Sequence, residues 1–589
     1  MAPLLLFPFM LSIFSMSVVT QSLNNQQLLL QLKAAITNNN NTLLPNWTPL
    51  HPLCNWTGLT CHPSSHSLLA LNLSQMNLYG TISPVLGNLS SLRSIDLSYN
   101  ALTATIPPQL SQLPRLQILQ LSHNQLQGTI PTTLSACRSL FRFSLSYNQL
   151  HGSIPPSLSE CRSLYDLRLS HNQLHGSIPP ELSHLTSLKI LHLGGNNLTG
   201  TIPSELGMLI QLQSLYIHTN NLEGTIPRSL GSLSALTDLE LGKNSLHGHI
   251  PPELGMLTQL QVLYLDSNNL EGTIPRSFGN LSALTDLELG KNSLHGHIPP
   301  ELGMLTQLQV LYLDSNNLEG TIPRSLGNLS ALTDLELGKN SLHGHIPPEL
   351  GMLTQLQVLY LDSNNLEGTI PKSLGNLSGL TDLQLGKNSL HGHIPPELGM
   401  LTQLQVLYLD SNNLEGTIPR SLGNLSGLTD LLLGNNSLHG HIPPELGMLT
   451  QLQFLYLYLN NLEGTIPSSL TNLSKLSELR LSGNQVIGHI PLEIGTKLSN
   501  LQILRLRGNQ LSGNIPNSLG NCSRLAILSL SANHLQGPIP PELGMLTDLQ
   551  YLYLDKNMLS GTIPNSLGNL SALRNLSLSE NHLQGSIPW

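Results

Sequence analysis

Charge, aromatic rings and cysteine are all scarce in this chain of 589 residues, where 10% of positions are charged, 4% are aromatic and five are Cys. The formal net charge is −9 and no Lys/Arg-rich run occurs, which excludes nucleic acid and anionic membrane as electrostatic partners. Beyond the first twenty residues no apolar run approaches the ~18–20 residues that span a bilayer. A glycine-rich phosphate loop, a nucleophile elbow and the lysine, "HRD" and "DFG" elements of a kinase are also missing, so neither catalysis nor a cofactor is expected. Composition breaks are absent too. One grammar runs from about residue 68 to the end, which predicts one elongated repeat domain in place of several globular ones.

What is present is repetition. The stretch "LTDLELGKNSLHGHIPPELGMLTQLQVLYLDSNNLEGTIPRS", Leu236 to Ser277, returns almost unchanged at Leu284 and Leu332 and with small changes at Leu380. The underlying unit, LxxLxLxxNxLxGxIPxxLxxLxx, starts at Leu68 and recurs every 24 residues to Leu476. One extra residue in "IGTKLSN" then shifts the register to Leu501, Leu525, Leu549 and Leu573, for 22 units over 68–589. Units of this length and pattern are leucine-rich repeats: a short strand, a buried turn and an irregular or 3₁₀ return. In "TDLEL" the period of two points Leu239 and Leu241 inward and Asp238, Glu240 and Gly242 outward. The fold class is therefore an α/β repeat solenoid, a right-handed superhelix or horseshoe with a parallel sheet on its concave face. The Asn of each unit, such as Asn244, Asn268 and Asn292, is expected to satisfy turn backbone groups. Gly248 permits a bend and Pro251 fixes φ where no ladder donor is needed.

The first twenty residues, "MAPLLLFPFMLSIFSMSVVT", read as a signal peptide although the n-region has no Lys or Arg. Residues 22–67 read as an N-terminal cap: a short amphipathic helix through "LLLQLKAAI", then Trp47 and Trp56 shielding the first leucine layer. Cys54 and Cys61 are expected to pair in an exported chain. Sequons at Asn40, Asn46, Asn55, Asn72, Asn88, Asn197, Asn280, Asn328, Asn376, Asn424, Asn435, Asn472, Asn521, Asn569 and Asn575 predict glycosylation. Cys137, Cys161 and Cys522 take a leucine position and read as small buried hydrophobes.

"CNWTGLTC", "ALNLSQMNLYGTISPVLGNLSSL" and the further units with "GxIP" together resemble the extracellular region of plant leucine-rich-repeat receptor kinases and receptor-like proteins, over essentially the whole mature chain. The resemblance implies an extracellular or plasma-membrane-surface module that binds a peptide or protein ligand, often with a smaller leucine-rich-repeat co-receptor, in defence or development. It also implies a C-terminal cap, a membrane helix and, in the kinases, a kinase domain after the last repeat. This chain as written stops at "SIPW" in its twenty-second unit, with Trp589 its last residue, so the expectation is a truncated gene model, a gene fragment or a secreted remnant of a receptor. The alternative is a secreted inhibitor of a microbial wall-degrading enzyme, similar to the polygalacturonase-inhibiting proteins, which have far fewer units.

Function is expected at the outward strand positions, because packing already dictates the inward ones. Those candidates are Asp238, Glu240, Tyr264, Asp266, Asp286, Glu288, Tyr312, Asp314, Asp334, Glu336, Tyr360, Asp362, Tyr408, Asp410 and Tyr456. They form a stripe of tyrosines and acids suited to an extended ligand with basic side chains. The ring of Tyr264 separates Glu240 from Glu288 and limits their repulsion. Arg480, Arg505 and Arg507 follow, the last two as "RLR", which resembles the Arg-x-Arg pair that holds a peptide's C-terminal carboxylate in several family members. The "HGH" copies at His247/His249 and every 48 residues to His439/His441 lack the Cys or carboxylate companions of a metal site.

Overall fold

The computed structural model describes residues 24–37 and 42–587. The expected signal peptide, the Asn40 sequon and Trp589 lie outside them. The chain falls into two compact units, Met1–Ser293 and Leu294–Trp589, and the same coil repeats within each.

In the first unit, strand Asp238–Glu240 lies parallel to Ser214–Tyr216 and Val262–Tyr264, with Leu239 opposite Leu215 and Leu263. In the second, Asp334–Glu336 lies the same way between Val310–Tyr312 and Val358–Tyr360. The inward residues of one coil, Leu236, Leu239, Leu241, Leu246, Ile250, Leu254 and Leu257, are all buried. A buried leucine side chain contributes roughly 1.5–3 kcal/mol. Because the leucines return at a fixed interval, a slip of one residue would turn every one of them to solvent, which pins the register.

After each inner strand the chain turns away at the asparagine. Asn268 Nδ2 donates to the carbonyls of Leu241, Leu265 and Asp266 at 3.1, 3.2 and 3.2 Å, and its Oδ1 accepts the Leu246 N–H at 2.9 Å. One side chain thus satisfies turn groups in its own coil and in the preceding one, as its polarity predicts.

The next segment departs from the sequence reading, which made it only a bend. It is a second strand: Ser245–His249 pairs in parallel with Asn269–Glu271, and His343–His345 with Asn365–Glu367. Gly248 sits there at φ +76°, and a Cβ on it would lie 2.9 Å from Thr225 Cγ2. The return is the expected 3₁₀ turn, such as Pro252–Met256, entered from Pro251 at φ −64°. The inserted residue in "IGTKLSN" converts this return to an α-helical turn, Ile494–Lys497.

The cap has the expected parts. A helix over 24–36 buries Leu29, Leu32 and Ile36. Lys33 is 7% exposed, and its Nζ donates to the carbonyls of Leu44 and Trp47 at 2.8 and 3.3 Å. Cys54 and Cys61 are disulfide-bonded with Cα atoms 5.7 Å apart. Strand Leu59–Cys61 runs antiparallel to Leu68–Asn72, joining the cap to the first coil. Cys137, Cys161 and Cys522 are free and buried, and burial pushes their thiols up to about 11, about 12 and about 11.

Candidate ligand-binding face

Each unit carries an outward column built from the third residue of its inner strands. In the first it runs Tyr216, Glu240, Tyr264, Glu288. In the second it begins Tyr312, Glu336, Tyr360, Gln384, Tyr408 and continues through Leu432, Tyr456, Arg480, Arg505 to Ser529 and Tyr553. All these side chains except Ser529 are partly exposed. A parallel column holds Asp238 and Asp286 in the first unit and Asp334, Asp382 and Asp430 in the second, each bonded by a threonine one residue back: Thr285 Oγ1 donates to Asp286 at 2.6 Å and Thr333 to Asp334 at 2.6 Å. Asp266, Asp314, Asp362 and Asp410 accept from the following serine at 3.0, 3.0, 3.0 and 3.2 Å.

The acids are less charged than their count suggests. Burial, then Asp238 and Asp266, pushes Glu240 up to about 7; burial, then Asp266 and Asp286, does the same for Glu288. Repulsion at Glu288 comes chiefly from the neighbouring aspartates, and Tyr264 stands between Glu240 and Glu288 in the column. Burial, then Asp286 and Glu288, raises Tyr264; burial, then Asp382 and Glu336, pushes Tyr360 up to about 12, and burial, then Asp430, does the same for Tyr408, so their hydroxyls remain donors. A carboxyl raised on folding binds its proton more tightly in the folded chain, so its contribution is greatest below the ordinary 4.5 and falls as pH rises through about 7. E240Q/E288Q should therefore melt above the parent at about pH 8, with the difference vanishing toward about pH 4.5, in thermal scans across that range.

The arginines fall into two kinds. Arg480 donates to Glu478 Oε2 through Nη2 at 2.6 Å and Nε at 3.0 Å, and its guanidinium lies 4.3 Å from the centre of the Tyr456 ring, whose hydroxyl bonds the same carboxylate. Arg505 is next in the column, opposite Arg480 and Ser529. Arg507 lies beyond the strand end, exposed, and acts electrostatically on Asp555.

Other candidates sort by position. Asn280, Asn328, Asn376, Asn424, Asn472, Asn521 and Asn569, like Asn88, each end a 3₁₀ return and are exposed. Asn55 and Asn197 are exposed as well. Asn46 instead donates to the Asn55 carbonyl at 2.9 Å inside the cap, and Asn72 Oδ1 accepts from Ser74. The "HGH" histidines lie on the second, outer strands with both rings exposed, as in His295–His297. No group of three metal-ligating side chains occurs among the described residues.

Sequence reasoning missed a second feature of the first unit. A trough of about 550 Å³ is lined by Arg142, Asp166, Arg168, His192, Tyr216, His218 and Glu240 together with Tyr99, His123, Tyr147 and His171. The last four stack face to face with centroids 4.1, 4.2 and 4.2 Å apart. His192 stacks on Tyr216 at 4.1 Å and contacts Ser214 Oγ through Nε2 at 2.8 Å, and burial, then Arg168, lowers it to about 4. The signal was in the sequence: Tyr or His precedes the unit asparagine at 99, 123, 147 and 171.

Comparisons with known proteins agree with this architecture. The leucine-rich repeat region model matches 264–384 and 350–487, and the leucine rich repeat model matches 66–126, 114–174, 210–270 and 474–535. The leucine rich repeat N-terminal domain model matches 24–62. The solved structure of the Arabidopsis receptor kinase HAESA, in complex with the peptide hormone IDA and the co-receptor SERK1, is 36% identical with a TM-score of 0.88, covering 96% of this chain and 94% of that one. A TDR receptor structure is 35% identical with a TM-score of 0.84, covering 88% and 89%. The chain belongs to the leucine-rich-repeat family, in the group of plant receptor-kinase ectodomains. Among curated proteins it is 41% identical over 70 residues to the Arabidopsis thaliana LRR receptor-like serine/threonine-protein kinase EFR, which is 12% of this chain and 7% of that kinase. The chain thus covers well under a tenth of that relative's length, and the similarity to the kinases lies in their repeats. No helix among the described residues is long and apolar enough to cross a membrane.

Proposed function

We propose that this chain is the extracellular recognition module of a plant receptor, binding a peptide or small protein on its outward strand faces without catalysing a reaction. The observation that carries the reading is the match over nearly the whole chain to an ectodomain whose solved structure holds a peptide hormone and a co-receptor. Tyr264 and Glu288 in the first unit, and Tyr360 and Tyr408 in the second, supply aromatic area and hydroxyl donors for a ligand, and Arg505 with Arg507 supplies a carboxylate seat. A smaller leucine-rich-repeat co-receptor completes the signalling complex. Exposed sequons on the 3₁₀ returns support glycosylation away from the strand face, and the Cys54–Cys61 bond supports a secreted or cell-surface location.

The test sets receptor against inhibitor. Secreted protein is assayed for saturable binding to a panel of free-carboxylate peptides, and separately for inhibition of a fungal endopolygalacturonase. Peptide binding with an unchanged hydrolysis rate is expected. Stoichiometric inhibition without peptide binding would move the chain to the inhibitor class.

A further inference from the structure

The trough in the first unit holds an imbalance of charge. Arg142 Nε and Arg168 Nε stand 3.3 and 2.8 Å from the two oxygens of Asp166, whose side chain is 4% exposed while each arginine side chain is 40% exposed. The carboxylate is interior and the two guanidiniums reach out from it. Two cations share one anion, so one positive charge faces the trough of a chain whose net charge is −9. Only one other acid lines it, Glu240, which lies 3.5 Å from His218 Nε2. Glu240 stands three strands beyond Arg168, about 14 Å at the usual strand spacing.

The trough's rings narrow the ligand. A pyranose needs an open aromatic face, but His123 and Tyr147 are covered on both faces and Tyr99 and His171 on one. Their edges are what the ladder presents, with Tyr99 and Tyr147 53% and 47% exposed. A row of hydroxyl and imidazole groups suits the carbonyls and N–H groups of an extended backbone.

We propose that this trough binds the side-chain carboxylate of an acidic residue in an extended peptide, with Arg142 and Arg168 as its anion seat and Asp166 holding the two guanidiniums in place. The inference rests on the peptide-receptor reading and adds an acid-specific pocket distinct from Arg505 and Arg507. Asp166 serves as a positioning residue that lowers the pocket's net charge by one.

The test uses the full secreted chain and the capped peptide acetyl-Ser-Pro-Glu-Pro-Ser-amide, whose only carboxylate is the glutamate side chain, beside its Gln counterpart. Titration calorimetry should show about tenfold tighter binding of the Glu peptide, the usual gain of a charge-assisted contact. R142Q/D166N/R168Q, which leaves no buried charge unpaired, should lose that preference with an unchanged melting temperature. D166N alone should weaken the Glu peptide several-fold, because the two guanidiniums then lose the carboxylate that holds them in place. Equal binding of the Glu and Gln peptides, binding of neither, a preference that survives the triple variant, or displacement by oligogalacturonate in preference to peptide would each overturn the proposal. A parallel peptide with a free C-terminus and no acidic side chain reports on Arg505 and Arg507, so failure of the broader reading is seen separately.

Discussion

Trp47→Ala should unfold the N-terminal cap while leaving the second unit intact. Trp47 is 1% exposed, stacks on Trp56 at a centroid distance of 5.3 Å, and donates from Nε1 to the Thr57 carbonyl at 2.9 Å. Truncating a buried tryptophan costs about 3–5 kcal/mol, and the orphaned carbonyl adds about 1–3. A cap's own stability is of that order, and in a solenoid each coil is held only by its neighbours. The expected hydrogen-exchange result is lost protection over 24–36 and in Leu68–Asn72, with unchanged protection in strands such as Val358–Tyr360. Secreted yield should fall with it. Unaltered exchange in the cap would show that the disulfide and the Lys33 bonds hold it without the tryptophan pair.

The second large effect concerns binding. R505A/R507A should weaken a peptide with a free C-terminal carboxylate by about a hundredfold, the size of two charge-assisted contacts at roughly tenfold each. The same peptide as its amide should bind both proteins alike. Arg480→Ala should matter far less, because its guanidinium is already held by Glu478 and the Tyr456 ring, whereas no hydrogen bond or ion pair engages the Arg505 side chain among the described residues. Interferometry on the four combinations of protein and peptide end group separates these outcomes. A free acid that binds parent and double variant equally would remove the carboxylate role from this pair.

The reach of the sequence followed its periodicity. Leu239, Leu241 and Asn268 recur at fixed intervals, so inward and outward sides, the turn hydrogen bonds and the tyrosine columns were all readable before any coordinates. The second strand at Ser245–His249 was not, because Gly248 and Pro251 read as punctuation and hid the two-residue alternation that runs through Gly248. Titration behaviour was also out of reach: Glu240 and Glu288 look like ordinary surface acids until burial and the aspartates beside them are placed. The trough was overlooked for a different reason. Arg142 and Asp166 occupy equivalent positions of adjacent coils and Arg168 the next outward position, but those coils are not copies, so no period in the sequence marks the cluster. In a repeat protein the coils that differ from the consensus carry information that the consensus cannot.

Ligand is expected to meet this chain on the outward strand positions. Hydrogen–deuterium exchange with and without a free-carboxylate peptide that the parent binds tests it most directly. Added protection should fall on strand segments of the outward columns, around Ile503–Arg505 and along tyrosine-bearing strands such as Val406–Tyr408. Protection confined to the 3₁₀ returns such as Pro396–Met400, with the strands unchanged, would contradict the account and place recognition on the opposite side of each coil.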